Sequence, residues 1–181
     1  MCARCAPPSA TVRPSKHQSL DGRIALLVPA TYEPWRTIAM KVRSNVIVVG
    51  LYFALKEAKR PYWDWLLANA QALWEQDVIL AGDFNTGKPS IDEAGQTSTS
   101  SDQQSAFEEL GFVDCWRSAN PQGGDYTWFS SANNGFRLDY VWASPCMASR
   151  VTTIRYDHSA RLAAMTDHAT VVADLRPQGI G

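Results

Sequence analysis

Val78-Ile79-Leu80-Ala81-Gly82-Asp83-Phe84-Asn85-Thr86-Gly87 is an apolar run that ends abruptly in a carboxylate and an amide two residues apart. Such a run, followed by Gly and then Lys88-Pro89, reads as a buried strand delivering polar groups to a sheet edge. Side chains on a strand alternate, so Asp83 and Asn85 point to the same side while Phe84 packs on the other. The pair brings together an anionic acceptor and an amide that can both donate and accept.

Upstream of this strand, Pro61 is placed as the first residue of a helix, and Tyr62, Leu66, Ala70 and Leu73, with Trp63 and Leu67, form its apolar stripe to about Glu75. Lys56-Glu57-Ala58-Lys59-Arg60 reads as a charged loop before it. Ile24 to Val28, Ile38 to Val42 and Val46 to Phe53 read as strands, the last two joined by Arg43-Ser44-Asn45. A helix between two apolar strands covers one face of a sheet. Downstream come a polar loop (Ser90 to Ser101) and a short helix from Asp102 to Leu110 stopped by Gly111. Phe112 to Trp116 reads as extended, and Tyr126 to Phe129 and Phe136 to Ala143 as strands joined by a turn at Asn133-Asn134-Gly135. Val151 to Tyr156 and Ala169 to Leu175 complete the strands.

The chain of 181 residues is 45% hydrophobic and 19% charged with a net charge of −1, enough for one globular domain with a sizeable core. Near-neutrality gives no global attraction to nucleic acid, so a polyanion must be held by a local basic patch. No apolar stretch is long enough to span a bilayer and no signal peptide is evident, so a cytoplasmic protein without membrane association is expected. Residues 1–21, rich in Pro and Ser, read as a flexible leader, and 22–181 as the domain. The leader's Cys2 and Cys5 have no second pair at zinc spacing, and Cys115 and Cys146 read as small core residues.

Polar groups collect where several apolar segments end: Asp83 and Asn85, then Arg137 and Asp139, then Asp167 and His168. Carboxylates, an amide and an imidazole in this arrangement suit hydrolysis of a phosphate ester. That reaction needs a group to orient or deprotonate water, a clamp on the phosphoryl oxygens and usually a divalent metal on hard oxygen ligands. His168 is the group whose charge can change near neutral pH, and a hydrogen bond to Asp139 would orient its ring and favour its protonated form.

Gly82-Asp83-Phe84-Asn85, Tyr126-Thr127-Trp128, Asn134-Gly135-Phe136-Arg137-Leu138-Asp139-Tyr140 and Thr166-Asp167-His168-Ala169, in this order, resemble the motifs of the endonuclease/exonuclease/phosphatase superfamily. The Tyr-Thr-Trp and Asn-Gly-Phe-Arg-Leu-Asp-Tyr forms look most like its exonuclease III and AP endonuclease branch. The resemblance covers about residues 22 to 176. It implies a four-layered α/β sandwich, two packed mixed sheets flanked by helices, with the site at one rim. It also implies metal-dependent hydrolysis of DNA, with Mg²⁺ or Mn²⁺ as cofactor and a place in DNA repair. Carried over, Asp83 orients or deprotonates water, with Asn85 steadying water and phosphate. His168 contacts the phosphate with Asp139 behind it, and Asp167 is a metal or supporting carboxylate. Tyr52 falls at a phosphate-contacting tyrosine, and Arg60 and Arg137, with Lys56 and Lys59, are candidate substrate contacts.

The chain departs from the family pattern at its start. Members begin with a strand carrying an Asn and a second ending in Gln-Glu, whose glutamate is the principal Mg²⁺ ligand; the recognisable chain here begins at Gly22-Arg23-Ile24-Ala25-Leu26. Two strands and that ligand are therefore expected to be absent, with Glu33 and Glu57 the nearest substitutes. Alternative readings are a truncated, non-catalytic relative, acting as a binding module or self-associating to cover an exposed sheet edge, and a phosphomonoesterase on a small substrate.

Overall fold

The computed structural model describes residues 36–41, 46–95 and 97–176. The leader, the strand expected over Ile24 to Val28, Glu33 and the Arg43-Ser44-Asn45 turn lie outside them. In chain order the elements are β1 (Thr37–Lys41), β2 (Ile47–Tyr52), a 3-10 turn (Lys56–Lys59), α1 (Arg60–Trp74), β3 (Val78–Asp83), α2 (Ser101–Glu109), β4 (Val113–Asp114) and α3 (Cys115–Ala119). There follow β5 (Trp128–Phe129), β6 (Gly135–Phe136), β7 (Asp139–Ala143), α4 (Pro145–Ala148), β8 (Val151–Asp157), α5 (Ser159–Leu162) and β9 (Thr170–Leu175).

β2 and β3 are parallel and connected through α1, while β1, β7 and β4 join them antiparallel in the order β1-β2-β3-β7-β4. β8 pairs with β9, and β5 with β6. Alternation divides the five-stranded sheet cleanly. Val49, Leu51, Leu80, Tyr140 and Trp142 pack with Trp63, Leu66 and Leu73 of α1 and with Phe107 of α2. Ile79, Val141 and Ala143 turn the other way and pack with Cys115, Trp116, Met147, Ile154 and Tyr156. The mixed α/β fold expected from the sequence is thus built around a sheet with α1 and α2 on one face and the β8–β9 pair with α3 and α4 on the other. Among the described residues no helix is long and apolar enough to cross a membrane.

Burial of α1 follows its period: Tyr62, Trp63, Leu66, Ala70 and Leu73 are all buried, and Pro61 sits in the first turn. Truncating a fully buried leucine such as Leu66 typically costs about 2–5 kcal/mol. Gly82 is needed for a different reason. Its φ is +143°, and a Cβ there would lie 1.9 Å from the Leu51 carbonyl oxygen of the adjoining strand.

Two expectations are corrected. The extended segment over Phe112 to Trp116 is limited to Val113–Asp114, because the Asp114 side chain accepts from Arg117 N–H at 3.0 Å and starts α3. The single strand over Phe136 to Ala143 is two strands in different sheets. Between them Arg137 N–H donates to the Asp92 carbonyl, and the N–H groups of Leu138 and Asp139 donate to Thr127 Oγ1, which draws the chain out of one ladder and into another.

Candidate active site

Parallel pairing brings the C-terminal ends of β2 and β3 to one edge, and antiparallel pairing brings the start of β7 to the same edge. The register Tyr52↔Asp83↔Asp139 therefore sets three polar side chains in one row across three strands, on the sheet face that meets the β8–β9 pair. His168 arrives from just before β9, where Trp128 bridges to it and Ala169 N–H donates to the Thr127 carbonyl at 2.8 Å. Its Nδ1 lies 2.8 Å from Asp139 Oδ2.

Asp83 is held by its own turn. Asn85 N–H donates to Asp83 Oδ1 at 2.8 Å, and Asn85 Nδ2 donates to Asp83 Oδ2 at 3.1 Å and to the Phe53 carbonyl at 2.9 Å. These bonds require Asn85 to take a left-handed conformation, with φ of +47°. Asp139 is fixed from behind, where Thr127 Oγ1 accepts its N–H and Tyr156 OH donates to its carbonyl at 2.9 Å.

Burial, reinforced by the facing Asp139 carboxylate, pushes the Asp83 carboxyl up to about 6; the Asn85 N–H, His168 and Lys59 oppose the rise. The hydrogen bond to Asp139 raises His168 above the ordinary imidazole value, against the effect of burial. At neutral pH the arrangement therefore favours an ionised Asp83, and the bond to Asp139 biases the nearby His168 toward its protonated form.

The other expected residues divide. Tyr52 is half-exposed beside Asp83, with the Arg36 guanidinium 4.9 Å from its ring centroid. Asp167 is exposed, and its Oδ2 accepts from Trp128 Nε1 at 3.2 Å. Arg60, the first residue of α1, and Lys56, in the turn before it, are exposed. Arg137 is a correction: it is 1% exposed, with Nε on Asp92 at 2.6 Å and Nη2 on Asp114 at 2.6 Å, and is not available to a substrate. Lys59 is likewise no surface cation; it is 3% exposed, and its Nζ donates to the Asn85 carbonyl. The signal for its burial lay in the helix period, since Lys59 continues the stripe of Trp63, Leu66, Ala70 and Leu73 by one turn. Thr127, fully buried, was visible only as the middle of Tyr-Thr-Trp.

The described residues do not make a complete metal site: no group of three His, Cys, Asp or Glu side chains is placed to hold an ion. Of the carboxylates at the rim, Asp167 is the most open, with one oxygen engaged by Trp128.

Residues 11–168 match the model of the Endonuclease/Exonuclease/phosphatase family. The fold is similar to the 3′ phosphatase NExo from Neisseria bound to a product DNA hairpin, with TM-score 0.68 and 25% identity over 78% of this chain. It is also similar to an AP endonuclease from Archaeoglobus fulgidus (0.65, 25%, 77%) and to the 3′-5′ exonuclease NExo from Neisseria meningitidis (0.66, 27%, 77%). The chain spans 65%, 65% and 64% of the length of these three structures. With the family match running through every motif of the rim up to His168, the chain belongs to the Endonuclease/Exonuclease/phosphatase family.

Proposed function

We propose that this chain is a phosphodiesterase that hydrolyses DNA, of the exonuclease III type. The observation that carries the reading is the row Asp83–Asp139 across β3 and β7, with His168 on Asp139 at 2.8 Å. An ionised Asp83 takes a proton from the attacking water, while Asn85 holds both carboxylate oxygens in place. Protonated His168 donates to a phosphoryl oxygen and offsets the charge that builds there. Asp139 keeps the imidazole oriented and charged. Arg60 and Lys56 are open to backbone phosphates, and Tyr52 borders the same rim. The similar structures, described as a 3′ phosphatase bound to a product DNA hairpin, a 3′-5′ exonuclease and an AP endonuclease, support DNA as the substrate class.

The same reading includes a dependence on Mg²⁺ or Mn²⁺, with Asp167 the carboxylate that would be offered to the ion. Labelled duplex DNA, plain, abasic or 3′-phosphorylated, incubated with either ion or with EDTA, tests the reading. Metal-dependent cutting or phosphate release that disappears in Asp83→Ala is expected. Folded protein that leaves every substrate intact, or activity undiminished in Asp83→Ala, overturns it.

The incomplete donor set among the described residues bears on a second reading, a non-catalytic relative that associates with itself. That reading expects no hydrolysis and a dimer or larger assembly in sedimentation; an active monomer excludes it.

A further inference from the structure

A lysine ammonium is seldom buried without a partner, because leaving water costs several kcal/mol that only charge and hydrogen bonds can offset. Lys59 is 3% exposed, beneath the turn that carries Asp83 and Asn85. Its Nζ donates to the carbonyl of Asn85, the residue whose left-handed backbone lets its N–H and side-chain amide both reach the Asp83 carboxylate. Asp83 is also the foremost negative charge acting on Lys59, ahead of Glu57 and Glu93. Glu57 is exposed, and the Glu93 carboxylate is engaged by the N–H groups of Thr97 and Ser98 and by Thr97 Oγ1.

We infer that Lys59 is a positioning residue of this site, locking the Asn85 turn through its carbonyl and adding a buried positive charge beneath Asp83 to that of His168. It does not contact DNA. Its action runs through Asp83, which is also faced by Asp139 from β7 and by His168 from the approach to β9. The inference rests on the proposed function only where catalytic rate is read.

The test uses the full chain with Lys59→Met and Lys59→Arg. The Asp83 carboxyl is followed by ¹³C NMR titration, assigned through Asp83→Asn, and so is readable in a protein without activity. Loss of the cation in Lys59→Met is expected to move the Asp83 midpoint upward, and Lys59→Arg to restore most of it. In an active protein kcat falls about tenfold in Lys59→Met, its acid limb shifts with the same midpoint, and KM for DNA holds. An unmoved Asp83 midpoint, or a raised KM with kcat unchanged, overturns the inference. Should Lys59→Met fail to fold, reductive methylation of the wild-type chain decides. Lys59 that resists the reagent with and without DNA supports the inference, and Lys59 that reacts freely and is protected by DNA refutes it.

Discussion

Two clusters of charged residues lie on either side of the Arg137-Leu138-Asp139 segment, and they are built on opposite terms. In the interior one, Asp92 and Asp114 meet Arg137, and Asp92 also receives Arg117 Nη2 at 2.8 Å, Tyr140 OH at 3.1 Å and Lys88 N–H at 3.0 Å. Burial pushes the Asp92 carboxyl up, but the bonds and charge of Arg137 outweigh it and leave it below the usual value. At the rim, Asp83 and Asp139 face each other across a strand pair, and Asp83 is raised to about 6. The same residue types are relaxed in one cluster and poised in the other. Compensated charge stabilises a fold, whereas imperfectly compensated charge at an accessible edge can exchange a proton.

The contrast is sharpest for Asp83. Asp83→Ala is expected to reduce hydrolysis by about 10²–10⁴-fold, the range for loss of a positioned acid or base. Stability should behave differently. A carboxyl raised in the folded state stabilises below its unfolded value and loses that contribution as pH rises through about 6. Urea denaturation of wild type from pH 4 to 6 should therefore show a decline that Asp83→Asn lacks. An equal decline in both would break the comparison.

Arg137→Met should cost about 3–5 kcal/mol in urea denaturation, because it leaves Asp92 and Asp114 buried without their cation. A double-mutant cycle with Asp92→Asn should recover part of that loss. If Arg137→Met folds normally but loses DNA binding, the interior assignment is wrong. Asp92 brings the opposite pH sign: its depressed carboxyl stabilises above the unfolded value, and the contribution is lost as pH falls through the lower folded one.

Asp139→Asn should lower the His168 titration midpoint seen by NMR, since the hydrogen bond to Asp139 is the largest cause of its elevation. Trp63→Phe removes the bond from Nε1 to Thr86 Oγ1 at 2.9 Å beneath the turn, about 1 kcal/mol, and also opens a cavity in the core around Trp63, so a larger total loss of stability is expected in urea denaturation.

Much of this architecture was legible from residue order. The apolar run into Gly82-Asp83, the proline and stripe of α1, and the hairpin at Asn133-Asn134-Gly135 are local signals, and local chemistry produces the corresponding elements. Charge partners are non-local. Arg137 reads like any polar residue alternating along a strand, yet its guanidinium is consumed by Asp92 and Asp114, 45 and 23 positions away. Lys59 reads like loop charge until the first turn before α1 places it under Asn85, 26 positions on.

The sequence by itself determined which segments are apolar enough to become strands and helices and which polar residues terminate them, because burial and backbone geometry act over a few residues. Tertiary structure alone decided that Asp83 and Asp139 share one row and that Arg137 and Lys59 are buried. Those outcomes depend on strand register and on which opposite charge is within reach, quantities that no short window of sequence contains.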